Sequence, residues 1–379
     1  MLNAINIHMS NHLDFQDRIN LGSYYTPAKY VHLVSQWLES EKIDSKWIIA
    51  DLSCGGGAFF DLHNVFPDNI YIGNDIDEIA LKCAQQNFPF VHYIKSNAFT
   101  NVCREHYGIK FHDKLIIVGN PPYNDTTSII NNSLKKDNVK IDTDIKTRDL
   151  GITALLSYAK LNADYVAVLH PLSYLIKPAN FKLGQKFFKN YKIKQHIVFN
   201  SQEFANTSKM TGFPVIVALY EKTIFEGLSY ENIKNFTFKT IEGFSFSLKD
   251  NDYISDFIEK YPHEHRYTPE ILFYTQRDIN ALKRGKTFMQ ERTAASVDVE
   301  PQKLPFYCYL DCFKRYADVP YFLGNFNVPF NKKTFDSIKD DVMAIAKYFH
   351  QNIFGNSPQP TVQQIDRVRN YINNIITYP

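Results

Sequence analysis

A chain of 379 residues suggests two domains at about 150 residues each, and 44% hydrophobic with 22% charged residues excludes wholesale disorder. Lys and Arg number 42 against 40 acids, a formal charge of +2, so affinity for a polyanion has to come from local patches. The 30 Phe and 24 Tyr suit both core filling and stacking on bases.

The opening MLNAINIHMSNH lacks the positive start and apolar stretch of a secretory signal. No apolar run approaches the roughly 18 residues that span a bilayer. We therefore expect no membrane contact and a cytoplasmic protein. Cys54, Cys83, Cys103, Cys308 and Cys312 form an odd, scattered set, which argues against a disulfide framework. Cys308 and Cys312 have no second Cys/His pair at zinc spacing, so structural thiols and no metal are expected.

In chain order, GSYYTPAKYVHLVSQWL (22–38) reads as a polar turn and an amphipathic helix, with Thr26 as N-cap and Pro27 as first helical residue. WIIADLSCGGGAFF (47–60) is an apolar strand, a glycine cluster and a helical start. NIYIGNDIDEIALKCAQQNF (69–88) repeats the pattern, its strand ending on an acidic residue. VHYIKSNAF (91–99) and KLIIVGNPPY (114–123) each give a short strand and a polar loop. Further strands are predicted at 165–170, 193–199 and 213–220, and residues 124–148 read as a mobile loop. Strands alternating with helices imply a doubly wound, Rossmann-like α/β sheet with ligand sites at the strands' carboxyl ends. Beyond Lys222 this rhythm stops. We therefore expect one domain over 1–222 and a second over 223–379, whose fold the pattern does not give.

Asp51-Leu-Ser-Cys-Gly-Gly-Gly follows a strand directly, and its glycines allow close backbone approach to a ligand. Alone, the turn suits a dinucleotide or mere close packing equally. It does not match G-x-G-x-x-G, and no Gly-Lys-Ser/Thr follows to make a P-loop. At the next strand's end, Asp75 suits a ribose diol, whereas Asp77 reads as the N-cap of the following helix.

Asn120-Pro121-Pro122-Tyr123 is the sharper signal. Two prolines remove two backbone donors and stiffen the loop, leaving carbonyls as acceptors. An Asn side-chain oxygen and a proline carbonyl together can hold both hydrogens of one planar amino group. Accepting both N–H bonds favours a pyramidal nitrogen whose lone pair turns toward an electrophile. Tyr123 offers a flat face for stacking. A proline-rich turn closing a strand would use the same residue types.

The order GSYYTP, DLSCGGGAF, GNDID, SNAF, NPPY resembles the amino-methyltransferases that use S-adenosylmethionine. More narrowly it resembles DNA adenine-N6 methyltransferases with the cofactor motifs first and a target-recognition domain last. The resemblance covers roughly 20–222 and implies a site-specific DNA methyltransferase acting on an adenine flipped out of duplex DNA. It implies that Thr26, Asp51 and the backbone of Ser53, Cys54 and Gly55 surround the methionine end of the cofactor. Asp75 would take the ribose hydroxyls, Ile76 would pack on the adenine, and Asn97 with Ala98 would meet its edge. Asn120, Pro121, Pro122 and Tyr123 would form the catalytic loop, with Tyr123 and Phe204 sandwiching the base and Phe213 as runner-up. The family often has Asp at the place of Asn97, and Pro-Ala at that of Leu52-Ser53. The implied partners are double-stranded DNA and, in a restriction–modification system, a cognate restriction endonuclease acting separately.

Lys177, Lys182, Lys186, Lys189, Lys192, Lys194 and Lys209 face one acid, Glu203, and a second basic cluster runs from Arg277 to Arg292. Each is read as a DNA-facing patch or a solvated face. Other readings of the chain are an RNA or protein-glutamine amino-methyltransferase, or a catalytically silent DNA-binding subunit of this fold.

Overall fold

The computed structural model describes residues 26–123, 140–204, 212–262 and 271–376. Residues 22–25 of the GSYYTP segment, most of the loop expected at 124–148, and Lys209 lie outside them.

Seven strands form one sheet: β1 (Ile48–Asp51), β2 (Ile70–Asp75), β3 (His92–Lys95), β4 (Leu115–Gly119), β5 (Tyr165–Pro171), β6 (Tyr191–Asn200) and β7 (Pro214–Lys222). Their order is β3-β2-β1-β4-β5-β7-β6. All neighbours pair in parallel except β7, which is antiparallel to both β5 and β6. The fold is α/β and Rossmann-like, as the alternation predicted. β1, β4 and β5 are buried at every residue, which is why they read as unbroken apolar runs. From β1 the chain turns to β2 and β3 on one side, and β4 returns on the other. The carboxyl ends of β1 and β4 therefore flank a switch point where ligands bind in open α/β sheets.

Local chemistry sets the elements around this edge. Asp77 caps the helix Glu78–Asn87, its carboxylate accepting the N–H groups of Ile79 and Ala80 at 2.9 and 3.3 Å. The helix expected from Pro27 begins at Ala28, one residue later. Pro27 is itself the N-cap, extended at φ −61° and ψ 135°, and no side chain caps the first turn. Thr26 is buried before it rather than capping. The helix sends Tyr30, Val34 and Leu38 into a core shared with Ile49, Phe60 and Val118.

The chain divides into two compact units, one of 1–233 with 238–241 and one of 234–237 with 242–379. The first continues past Lys222 because the Tyr230 hydroxyl donates to the Ile176 carbonyl at 2.8 Å and Thr240 bridges Val198 on β6.

The second unit is built from short pieces. A three-stranded antiparallel sheet sets Leu272–Tyr274 between Phe288–Met289 and Ser296–Asp298. The helix Leu304–Tyr316 buries Cys308 and Cys312 together with Tyr309 and Phe313, and burial pushes both thiols up, away from reactivity. Buried Asp311 on this helix accepts from Thr287 Oγ1 at 2.6 Å and Arg315 Nε at 2.7 Å, and lies 2.9 Å from His350 Nε2. Among the described residues no helix is long and apolar enough to cross a membrane. No group of three or more His, Cys, Asp or Glu among them could hold a metal ion.

Candidate active site

The last residue of β1, Asp51, is 2% exposed. Burial pushes its carboxyl up to about 8, against the lowering pull of the Ser53 N–H at 3.1 Å, and the charge of Asp75 adds to the rise. Asp75 ends β2 and is raised by burial too, although the N–H groups of Asp77 and Gly55 donate to it at 2.9 and 2.7 Å. The glycine turn thus fastens directly to the second carboxylate. Gly55 turns at φ +51°, where a side chain is strained, and nothing stands within 4 Å of the place a Cβ would take. That bare backbone leaves room for a ligand beside the turn. At the end of β4, a Cβ on Gly119 would lie 3.1 Å from Asp51 Oδ1. Glycine there lets the loop that follows start against the Asp51 carboxylate.

Two neighbours of Asp51 are unsatisfied. Ser53 Oγ and the Tyr158 hydroxyl are buried near one another, and neither makes a well-formed hydrogen bond among the described residues. Burial, with the Asp51 charge behind it, pushes the Tyr158 phenol well up, so it stays protonated as a donor. Two raised carboxyls, two orphaned hydroxyls and an open glycine turn are the chemistry of a polar, cation-bearing ligand site.

Sequence reasoning missed Tyr158, which sits in an otherwise apolar buried helix (Leu150–Lys160). It also missed Asn74. That side chain is fully buried, donates to the carbonyls of Leu52 at 2.9 Å and Ser96 at 3.1 Å, and accepts from Ser96 Oγ at 2.6 Å. Asn74 therefore staples the ends of β1 and β3 to β2 and holds Asp75 in place. Its signal was present: a polar residue inside the apolar run IYIGND.

The remaining expected cofactor residues line the same edge. Ile76 is 62% exposed, an apolar side chain left uncovered beside Asp75. Ala98 is half-buried. Asn97 Oδ1 accepts the Phe99 N–H at 3.0 Å, and Nδ2 donates to the Lys140 carbonyl at 2.8 Å. An Asp at 97 would set a carboxylate oxygen against that carbonyl, so Asn is the residue the local structure requires. The oxygen keeps a second lone pair for another donor.

Asn120 follows β4 directly, with Pro121 buried and Pro122 and Tyr123 half-buried. The Tyr123 hydroxyl donates to Asn120 Oδ1, fixing that oxygen as an acceptor. The Phe204 ring centroid lies 6.4 Å from that of Tyr123 at an interplanar angle of 57°. Phe204 is 1% exposed, packed edge-on against Phe199, which stacks on Tyr30 at 3.9 Å. A parallel sandwich of a base between Tyr123 and Phe204 requires one ring to rotate. Half-buried Phe213 flanks the same loop stem, its N–H donating to Ser201 Oγ at 3.0 Å.

The basic run is less available than its count suggests. Lys192 and Lys194 on β6 pair with Glu221 at 2.8 and 3.6 Å, Lys194 also with Glu41 at 3.3 Å, and Lys186 donates to the Asp144 carbonyl at 2.9 Å. In the second cluster Arg292 pairs with Asp298 at 2.6 Å.

A sheet of this order, with polar groups gathered at its switch point, is a Rossmann-like α/β fold. The profile of the N-6 DNA Methylase family matches residues 12–208, and the chain belongs to that family. As a member of that family it is a methyltransferase, and its cofactor is S-adenosylmethionine. No curated protein matches it. Among solved structures it is similar to a Pyrococcus horikoshii protein assigned as an RNA methyltransferase (16% identity, TM-score 0.39, 59% of this chain and 100% of that one). A Vibrio vulnificus chain assigned as a modification subunit of a type I restriction enzyme matches at 16% identity and TM-score 0.41 over 58% of this chain. That match spans about half of the Vibrio chain, at 48%. Magnesium protoporphyrin IX methyltransferase from Synechocystis matches at 13% identity and TM-score 0.34, covering 59% of this chain and 96% of that one.

The residues present fit the cofactor. Buried carboxyls suit its cationic methionine end, and the orphaned Ser53 and Tyr158 hydroxyls suit that end's polar groups. Asp75 suits a ribose diol and uncovered Ile76 a purine face.

Proposed function

We propose that this protein methylates the N6 amino group of adenine within a specific short sequence of duplex DNA, the target base being flipped out of the stack. The observation that carries the reading is Asn120. Its side-chain oxygen, fixed by Tyr123, emerges from β4 one residue after Gly119, whose missing side chain faces Asp51. The loop that carries the proposed acceptor thus begins at a glycine set against Asp51, the acid proposed for the cofactor.

The bound cofactor supplies an electrophilic methyl on sulfur. Thr26, Asp51, Ser53, Cys54 and Gly55 hold its methionine end, Asp75 its ribose, and Ile76, Asn97 and Ala98 its adenine. Asn120 Oδ1 and the Pro121 carbonyl would accept the two N–H bonds of the target amino group and turn its lone pair toward the electrophile. The extra proton left on the methylated nitrogen would pass to water. No strong base is needed, so catalysis is positioning and electrostatic preorganisation. Tyr123 and Phe204 hold the base, Phe204 after its ring turns. The first unit, 1–233 with 238–241, carries methyl transfer and the second reads the target, with phosphate contacts positioning and base-edge contacts specifying.

The test offers duplex DNA, RNA and protein as methyl acceptors and identifies the product by nucleoside and amino-acid mass spectrometry. N6-methyladenine in DNA is expected, and methylated glutamine or RNA alone refutes the reading. Asn120→Ala should keep cofactor affinity and lower turnover about 10²–10³-fold, the typical cost of one transition-state hydrogen-bonding group. Near-normal turnover refutes the mechanism.

A further inference from the structure

Asp142 stands outside every motif discussed above, yet the loop 97–102 is built on it. Its Oδ1 accepts the Asn101 N–H at 2.9 Å and its Oδ2 the Val102 N–H at 3.0 Å. Its own N–H donates to the Phe99 carbonyl at 2.8 Å. The Lys140 carbonyl, two residues before it, accepts from Asn97 Nδ2 at 2.8 Å and Thr100 Oγ1 at 2.5 Å. Lys160 Nζ reaches Asp142 at 2.9 Å and Asp144 at 3.0 Å and anchors the segment to the helix Leu150–Lys160. Asn101 turns at φ 52°, a left-handed conformation that Asn adopts more readily than most residues with a side chain. The two N–H bonds to one carboxylate fasten this turn. The loop so fastened carries Asn97 and Ala98, which follow β3 just past its pairing with the end of β2, where the Ser96 N–H donates to the Asp75 carbonyl at 3.2 Å.

We propose that Asp142 is a positioning residue for recognition of the cofactor's adenine, acting by folding the loop that carries Asn97. The inference rests on the reading that Asn97 accepts from the adenine amino group. Lys160 neutralises Asp142 and keeps its oxygens turned to the loop. The carboxylate is needed for its two acceptor oxygens. In Asp142→Asn one of them becomes an amino group facing an N–H, and the turn at Asn101 loses its restraint.

The experiment titrates the full chain with S-adenosylhomocysteine and with S-inosylhomocysteine, whose ring carries a 6-oxo group in place of the 6-amino group. A site that hydrogen-bonds the amino group should prefer the adenosyl ligand by about tenfold or more. In Asp142→Asn and in Asn97→Ala this preference should shrink to about threefold or less, since the unpaired amino group is then no better held than the oxo group. A merely structural role for Asp142 would weaken both ligands alike and leave the ratio intact. If Asn97→Ala collapses the preference and Asp142→Asn keeps it, the positioning role is overturned while the reading of Asn97 stands. No preference in the unmodified protein, or none lost in Asn97→Ala, overturns that reading and the inference with it. Should Asp142→Asn fail to fold, amide hydrogen exchange on the unmodified protein decides. S-adenosylhomocysteine should slow exchange at Asn101 and Val102, and unchanged exchange there overturns the proposal.

Discussion

If Asp51 holds the cofactor's ammonium as proposed, cofactor binding is a proton-linked event. In the free protein its carboxyl is raised by burial to about 8, with the Ser53 N–H opposing and Asp75 reinforcing. At pH 7 it is therefore mostly neutral. A ligand bringing an ammonium group favours the carboxylate, so binding must expel the proton. If only the ionised form binds, the competent fraction is about 1% at pH 6, about 10% at pH 7 and about 25% at pH 7.5. Affinity should then rise about 25-fold between pH 6 and 7.5, with close to one proton released per ligand at pH 7. The sign follows from the direction of the shift: a raised carboxyl holds its proton in the free site and loses it to the bound cation. The assay is calorimetric titration with S-adenosylhomocysteine in two buffers of different ionisation heat, where the difference counts the protons. Asp75 is also raised and interacts with Asp51, so one curve reports the pair. Asp51→Asn separates them by removing the larger part of the pH dependence. An affinity flat from pH 6 to 7.5, with no net proton release, refutes the reasoning.

Three further outcomes follow from the same geometry. Buried His170 sits between the Pro171 carbonyl at 2.9 Å and the Tyr220 hydroxyl at 2.8 Å, and burial pulls it down to about 4. Between its unfolded value near 6.5 and that value the unfolded chain binds more protons, so stability falls as pH drops. The unfolding free energy of wild type minus His170→Gln should shrink by about 3 kcal/mol from pH 7 to pH 4, and a constant difference contradicts it. Arg104 is buried with its guanidinium donating to the carbonyls of Leu161, Lys110, Asp113 and Asn162 at 2.8–3.0 Å. Arg104→Met should cost on the order of 3–5 kcal/mol in urea unfolding, and Arg104→Lys should rescue little, because a point charge cannot serve that fork. Phe204→Leu should keep most of the packing and lose the base stack, weakening capture of the extruded base by about 1–3 kcal/mol. A 2-aminopurine at the mapped target position reads this by its quenching, and an unchanged signal moves the role to Phe213 or elsewhere.

The centre of the sheet was legible because β1, β4 and β5 are short and covered on both faces. Under those conditions burial writes an unbroken apolar run into the sequence, and the polar residue that ends the run marks the site edge. Asp51, Asp75 and Asn120 each stand at such an end. Asp77 was legible for a different reason: a carboxylate just before a helix has one common task, and its bonds to Ile79 and Ala80 perform it. The second unit was not legible. Its strands run two or three residues, too short for a period, and its aromatic segments became a core around the helix Leu304–Tyr316. That helix carries Pro305 in its first turn, where the missing N–H costs nothing, and its aromatics gave no helical signal on their own.

Charge was the least legible quantity, because a sequence counts ions and a fold pairs them. Lys192 and Lys194 look like phosphate contacts until β7 and the end of the first helix bring Glu221 and Glu41 beside them. The same blindness hid the residues that hold the site. Asn74, Tyr158 and Asp142 belong to no spacing; each works through groups that only the sheet's order brings near. β1, β2 and β3 are neighbours, so one buried Asn on β2 can reach backbone carbonyls on both sides. The helix carrying Tyr158 and Lys160 lies between β4 and β5 in the chain, and so one helix can serve the Asp51 pocket with a phenol and the Asp142 segment with an ammonium. The motifs thus mark the strand ends proposed to meet the ligand, while the supporting residues follow from topology. A search for positioning residues in this fold should therefore begin at buried polar side chains flanking the strand ends.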